Sequence, residues 1–304
     1  MPGLVDAHVH LVDFLQHGEG AKAFLAAMDE AGVDGAVVFG MAVKKRWAAS
    51  EPRRPGYYLD DNSGCYSFSL TDALVANELG DLPPEQRARL APTVCGFDVT
   101  DLLAIEHLER VWSSYDGWAG IGELLLRHDD LTNLTQGEPA TISHPALEPV
   151  LDFARAHDVP VAVHHDSSSA GRPGEHEYVS ELSSVLGRHP RTTVVWCHAG
   201  ISRRIEPKGQ AQVLAELLAA HRGLHVDLSW AVADHVVPGG HPDPDWLRLI
   251  ESRPDRFVLG SDVFGRPDGL AAALARFSPL LDELTPATRA AVAGANATRL
   301  WFGR

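Results

Sequence analysis

Short apolar runs alternate with longer amphipathic ones from one end of the chain to the other. The runs at Leu4–Val9, Val33–Phe39, Ala91–Phe97, Trp118–Leu124, Val159–His164, Thr192–Cys197, Leu224–Leu228 and Arg256–Gly260 read as eight buried strands. Between them lie Ala21–Ala31, Asp101–Tyr115, Pro145–His157, Glu175–Arg188, Gln210–His221, Asp245–Ser252 and Gly269–Leu281. Their apolar residues recur at spacings of three and four, the pattern of a helix with one buried face. A last helix is expected to start at Thr285, with Pro286 as its first helical residue.

Eight strand–helix units imply a parallel sheet, because short turns cannot join parallel strands. A closed barrel and an open doubly wound sheet both satisfy the pattern. No GxGxxG follows the first strand, which removes the commonest reason to prefer a dinucleotide-binding open sheet. No Pro/Gly/Ser-rich linker or internal repeat divides the 304 residues, so one domain over 1–304 is expected. Two connections are long, Gly40–Ser69 and Leu125–Ser143. Both follow strands and in a barrel would rim its C-terminal face, where active sites sit. Trp47, Tyr57, Tyr58 and Tyr66 make the first of them a lid or pocket wall rather than a disordered loop.

Composition narrows the partners. A formal net charge of −15 argues against nucleic acid, which needs a basic surface, but leaves room for a local basic pocket and an anionic substrate. Cys65, Cys95 and Cys197 are widely spaced and form no CxxC, which fits a reducing cytoplasm. The start, MPGLVDAHVHL, has no leader pattern, and no run approaches the ~20 apolar residues of a membrane span. A cytoplasmic protein is expected. The 16 histidines are an excess and the first hint of metal chemistry.

Six side chains carry that hint further. His8 and His10 form an H-x-H at the end of the first strand, and residues two apart on a strand point the same way. A metal pair or two hydrogen-bonded imidazoles would both explain them. Glu123 in GIGEL, His164 in VPVAVHHD, His198 in TTVVWCHAG and Asp262 in RFVLGSD each follow an apolar run where a strand should emerge. Unpaired polar groups there are costly, so convergence on a metal explains the set better than core satisfaction. His165 should face away from His164 as a substrate-contacting or orienting residue, and Cys197 should point away from the site as a packed thiol.

DAHVHL, GIGE, AVHHD, WCHAG, LGSD and the terminal ANATRLW resemble the amidohydrolase superfamily, and within it the amidohydrolase-related group of lactonases and nonoxidative decarboxylases. The resemblance runs from Asp6 to Trp301 and implies a (β/α)8 TIM-like barrel with a C-terminal helix and one or two divalent metals. It implies His8, His10 and Asp262 on one metal and His164 and His198 on a second. Glu123 stands where many members bridge two metals; the alternative is a carboxylate that orients a histidine. Zinc suits the imidazole and carboxylate set, with manganese, iron or nickel as alternatives.

The expected chemistry is hydrolysis of a small lactone, amide or ester by metal-activated water, with Asp262 as the catalytic proton acceptor as well as a ligand. Lys44, Lys45, Arg46, Arg127, His128, Arg203 and Arg204 all follow strands. Of these, Lys44, Arg203 and Arg204 are candidates to hold an anionic substrate group, against the alternative of surface ion pairs. Trp230, just past the seventh strand, is a candidate pocket wall. A nonoxidative decarboxylase on the same scaffold is the rival reading, which Glu123 counts against, and a non-catalytic ligand-binding barrel is a third. A small-molecule substrate is the expected partner, with assembly into a homo-oligomer left open.

Overall fold

The computed structural model describes residues 3–14, 16–43, 68–128, 131–132 and 138–303. Parallel strands run β1 Leu4–His10, β2 Val33–Phe39, β3 Leu90–Val94, β4 Gly120–Leu125, β5 Val161–His164, β6 Val194–Trp196, β7 Leu224–Asp227, β8 Phe257–Val258 and β9 Val263–Phe264. They pair in one sheet in the order β8-β7-β6-β5-β4-β3-β2-β1-β9, each neighbour parallel. The Ala7 amide donates to Leu259 O at 2.8 Å, which joins β1 to the end of β8 and closes a (β/α)8 barrel. Each of β1 to β7 is followed by helix, and β1, β3, β4 and β5 are buried along nearly their whole length. Burial on both faces is why these strands read as continuous apolar runs rather than alternating ones.

Helix Ala21–Ala31 shows how the outer layer is made. Ala21, Phe24, Leu25 and Met28 form its buried stripe, and Gly32 ends it in a left-handed conformation with its N–H turned back on Asp29 O.

Three expectations are corrected. The eighth strand does not run over Arg256–Gly260: it is only Phe257–Val258, and the chain then turns through Asp262 to form the extra β9. Gly269–Leu281 is two helices, Leu270–Ala275 and Ser278–Glu283, because Pro279 lacks the N–H that a continuous helix would use. The long connection after β2 ends sooner than expected, in helix Phe68–Gly80. That helix buries Thr71, Asp72, Val75 and Leu79, so half of its inward face is polar and the apolar stripe is broken. Asp72 accepts the amides of Cys95 and Gly96 at 2.9 Å each, tying the helix to the end of β3.

The C-terminal helix begins as expected, with Thr285 as the cap and Pro286 first. It continues through a π turn, Ala291–Ala295, into Asn296–Trp301. Asn296 Nδ2 donates to Pro254 O and Phe257 O at 2.8 Å each, which fastens this segment to β8. Among the described residues, no helix is long and apolar enough to cross a membrane.

Candidate metal centre

Five strand ends, those of β1, β4, β5, β6 and β8, bring donors together. His8 Nε2 lies 3.4 Å from His10 Nε2, and each lies 3.3 Å from Asp262 Oδ1. Glu123 Oε2 is 3.6 Å from His8 Nε2 and 3.3 Å from His10 Nε2. Zinc-to-nitrogen bonds of 2.0–2.1 Å at tetrahedral angles put neighbouring ligands about 3.3–3.4 Å apart. Four of the five spacings fall at that figure, and the fifth, His8 Nε2 to Glu123 Oε2, is 3.6 Å. The other oxygen of the same carboxylate, Glu123 Oε1, lies 3.0 Å from His164 Nδ1 and 3.2 Å from His198 Nε2. Glu123 thus spans two donor groups, one built on β1 and the residues between β8 and β9, the other on β5 and the turn after β6.

The backbone pays for this convergence where the strands end. Six described residues other than glycine have a left-handed φ, and four of them, His198, Ala199, Trp230 and Asp262, sit just beyond β6, β7 and β8. Such conformations cost about 1–3 kcal/mol each and persist where surroundings impose them, commonly at functional sites. Two glycines permit the close approach. A side chain at Gly122 would strike the Ala162 carbonyl, and a Cβ at Gly260 would come 2.6 Å from His8 Cβ.

Each imidazole has its second nitrogen occupied. His8 Nδ1 is 2.7 Å from Asp227 Oδ2, His10 Nδ1 is 3.1 Å from Gly40 O, His164 Nε2 is 3.1 Å from Asp166 Oδ1, and His198 Nδ1 is 2.8 Å from Ser229 Oγ. Partners of this kind fix the tautomer and ring angle of a metal-binding histidine. Asp6, the acid of DAHVH, accepts the amides of His8 at 3.1 Å and Ser261 at 2.9 Å, and so holds β1 against the segment carrying Asp262. Burial nevertheless pushes Asp6 up to about 6.

The electrostatics call for positive charge. Burial opposes ionisation of His8, His10, His164, Glu123 and Asp262, yet contacts between them prevail. Glu123 and Asp227 hold His8 well above the usual imidazole range, bonds to Asp262 and Glu123 raise His10, and Asp166 with Glu123 raises His164 to about 10. In return His8, His10, His164 and His198 hold Glu123 well below the usual carboxylate range, and His10 and His8 do the same for Asp262. A cluster that would otherwise hold protons among its carboxylates suits divalent cations, and donor type, spacing and charge all fit.

Other expected residues fall outside this cluster. His165 is fully buried, with Nε2 3.1 Å from Tyr178 O and burial lowering it to about 4. Cys197 does not point away as alternation required. Residues Cys197–Gly200 leave the strand in a tight turn, so strand periodicity no longer applies, and Sγ comes within 4.8 Å of donor atoms of His8 and Asp227. Burial, then Glu123, pushes its thiol well above the ordinary value and keeps it neutral. Trp230 is half-buried, its ring 5.1 Å from His198 and 6.3 Å from His164, and the Arg203 guanidinium sits 5.6 Å over it. Arg204 is exposed beside the Ser202–Ile205 bridge. Lys44 lies outside the described residues.

Sequence reasoning assigned no role to Asp166, Asp227 or Ser229, and mentioned His128 only as a basic residue near the rim. His128 is buried and stacks on His164 at 4.1 Å; burial, then charge on His164, lowers it to about 3. Asp227 carried the same signal as the recognised acids, a carboxylate closing an apolar strand.

Fold and donor set together define a (β/α)8 barrel with a candidate metal centre at its strand ends. The sequence profile of the Amidohydrolase family matches residues 122–303, more than half of the chain, and the protein belongs to that family. Solved structures agree on the fold. The chain is similar to an uncharacterised TIM-barrel protein from Bordetella bronchiseptica at 16% identity, with a TM-score of 0.62 and coverage of 98% of this chain and 97% of that one. It is similar to an amidohydrolase from Burkholderia multivorans with bound zinc at 17% identity, TM-score 0.56 and 98% coverage of both chains. It is also similar to a dihydroorotase from Campylobacter jejuni at 15% identity, TM-score 0.55, covering 98% of this chain and 83% of that one. No curated protein matches the chain by sequence.

Proposed function

We propose that the protein is a metal-dependent hydrolase acting on a small anionic substrate with a lactone, amide or ester bond. The observation that carries this reading is the Glu123 carboxylate, whose two oxygens each meet a separate group of imidazoles at 3.0–3.6 Å. His8, His10, Asp262 and Glu123 would hold one divalent cation, and His164, His198 and Glu123 a second. When bound, such cations supply Lewis acidity and make water a nucleophile near neutral pH. Zinc fits the donor spacing, and the Burkholderia relative carries zinc.

The chain's own side chains divide the remaining work. Among the four carboxylates at the centre, Glu123 and Asp227 are 2% exposed and Asp166 is 0%, whereas Asp262 is 12% exposed. Asp262 is therefore the acid able to exchange a proton with a bound substrate, and it is assigned to take one from water and return it to the leaving group. Trp230 walls the side nearest His198, and Arg203 above it offers a guanidinium to a substrate carboxylate or phosphate. A decarboxylase with a single cation would not need a carboxylate shared between two imidazole groups, so the position of Glu123 favours hydrolysis. The test is metal analysis of the purified protein followed by a screen of lactones, amides and esters with and without a carboxylate. Two bound ions and activity lost on chelation are expected; a metal-free, chelator-insensitive protein would overturn the reading.

A further inference from the structure

Strand β7 supplies none of the proposed ligands, yet two buried polar side chains stand at its end, behind the cluster. Asp227 and Ser229 are both fully buried. Ser229 Oγ donates to Asp227 Oδ2 at 2.7 Å, the same oxygen that lies 2.7 Å from His8 Nδ1. On its other side Ser229 Oγ is 2.8 Å from His198 Nδ1. His198 Nδ1 itself is 3.9 Å from Asp227 Oδ2, beyond hydrogen-bond reach, and the hydroxyl fills that gap.

Only one arrangement of hydrogens satisfies this chain. A carboxylate accepts, so His8 Nδ1 donates to Asp227, and Ser229 spends its single hydrogen on the same oxygen. Ser229 Oγ is left with lone pairs alone, so His198 Nδ1 donates to it. Both rings therefore carry a hydrogen on Nδ1 and present Nε2 to Glu123, His8 at 3.6 Å from Oε2 and His198 at 3.2 Å from Oε1. Among the described residues the buried Asp227 Oδ1 has no hydrogen-bond partner, which is costly, and both bonds fall on Oδ2. The carboxylate is aimed at the two rings rather than at satisfying itself.

We propose that Asp227 and Ser229 are positioning residues that lock His8 and His198 in the metal-ligating form and couple the two cation positions through one oxygen, Asp227 Oδ2. The inference rests on the reading of His8 and His198 as ligands. A change of charge at either ring alters the demand on Oδ2 and is passed to the other ring, one through a direct bond and one through the hydroxyl.

The test is calorimetric titration with Zn²⁺ of metal-stripped wild type, Ser229→Ala, Asp227→Asn and the double variant, with thermal melting of each metal-free protein to verify folding. Partners of this kind are worth about 10–100-fold in metal affinity, so each single variant should weaken the loosest-held ion by that range. Asp227→Asn keeps the shape and one accepting oxygen, so its loss reports charge. The double variant should lose less than the product of the two single losses, because links in one chain are not independent. Affinities within about twofold of wild type in Ser229→Ala, or losses that simply multiply, would overturn the coupling. If one single variant does not fold, the other decides alone by the same criterion. A wild type that takes up no Zn²⁺ would overturn the metal reading and this one together, whereas normal uptake with an unaffected Ser229→Ala would overturn this one only.

Discussion

Glu123 Oε1 lies 3.0 Å from His164 Nδ1, although the two residues are 41 positions apart on neighbouring strands. The contact turns one carboxylate oxygen toward β5 and β6 and leaves the other for His8 and His10. Glu123→Gln removes the charge and one of the two accepting oxygens, and a neutral amide is a poor bridge. Bound metal should fall from about two ions per chain toward one, with the ion near His164 and His198 lost first. Elemental analysis of protein purified without chelator checks this; unchanged stoichiometry would return Glu123 to the role of orienting a histidine.

His8→Ala separates the metal reading from a purely hydrogen-bonded cluster. It deletes a proposed ligand and also strips Asp227 of the imidazole 2.7 Å away. Breaking a buried ion pair from one side typically costs about 3–5 kcal/mol, so the metal-free variant should unfold at markedly lower urea than metal-free wild type. His10→Ala removes a ring whose Nδ1 meets a backbone carbonyl, Gly40 O, rather than a carboxylate, and the unfolding penalty should be smaller. Both should lose the ion on the first position. Metal content as in wild type in both variants would leave the H-x-H a structural pair.

Much of this was legible in the primary structure because barrel strands are short, buried and regularly spaced. Leu4–Val9 and Val33–Phe39 were read almost to the residue, and the six proposed ligands stand where apolar runs end. What escaped had a physical reason in each case. Helix Phe68–Gly80 hides its periodicity behind Thr71 and Asp72. Cys197 defied strand alternation because His198 and Ala199 turn left-handed. Ser229 matters through a neighbour made by folding, and an uncharged hydroxyl after an apolar run carries no signal of its own. Asp227 does carry one, the carboxylate that closes the strand Leu224–Asp227.

Acid should weaken the fold through a histidine remote from the chemistry. His225 on β7 is 6% exposed; burial first, then Arg256 and Arg299, lowers its pKa from 6.5 to about 4. A depressed folded value means a contribution to stability that is complete above pH 6.5 and lost as pH falls through 4. The gap corresponds to about 3 kcal/mol. His225→Leu cannot take up that proton, so its urea-unfolding free energy should fall less than that of wild type between pH 7 and pH 4, by roughly that amount. Parallel pH dependence in the two proteins would show that His225 does not titrate in the folded state as inferred.

Asp262→Asn distinguishes proton transfer from ligation. Asp262 Oδ1 sits 3.3 Å from both His8 Nε2 and His10 Nε2, and an asparagine can keep an oxygen there. It cannot accept a proton near neutral pH. Its backbone must also keep the left-handed φ of 58°, a conformation asparagine tolerates as well as aspartate does, so the fold should survive. General acid–base catalysis is typically worth about 10²–10⁴-fold, or about 3–5 kcal/mol of barrier. Turnover of whichever lactone, amide or ester proves to be a substrate should fall by at least that range while metal content stays near wild type. A loss of only a few-fold with metal retained would make Asp262 a ligand alone. Catalysis would then need another proton acceptor near the site, and His128, buried against His164, would be the next to replace.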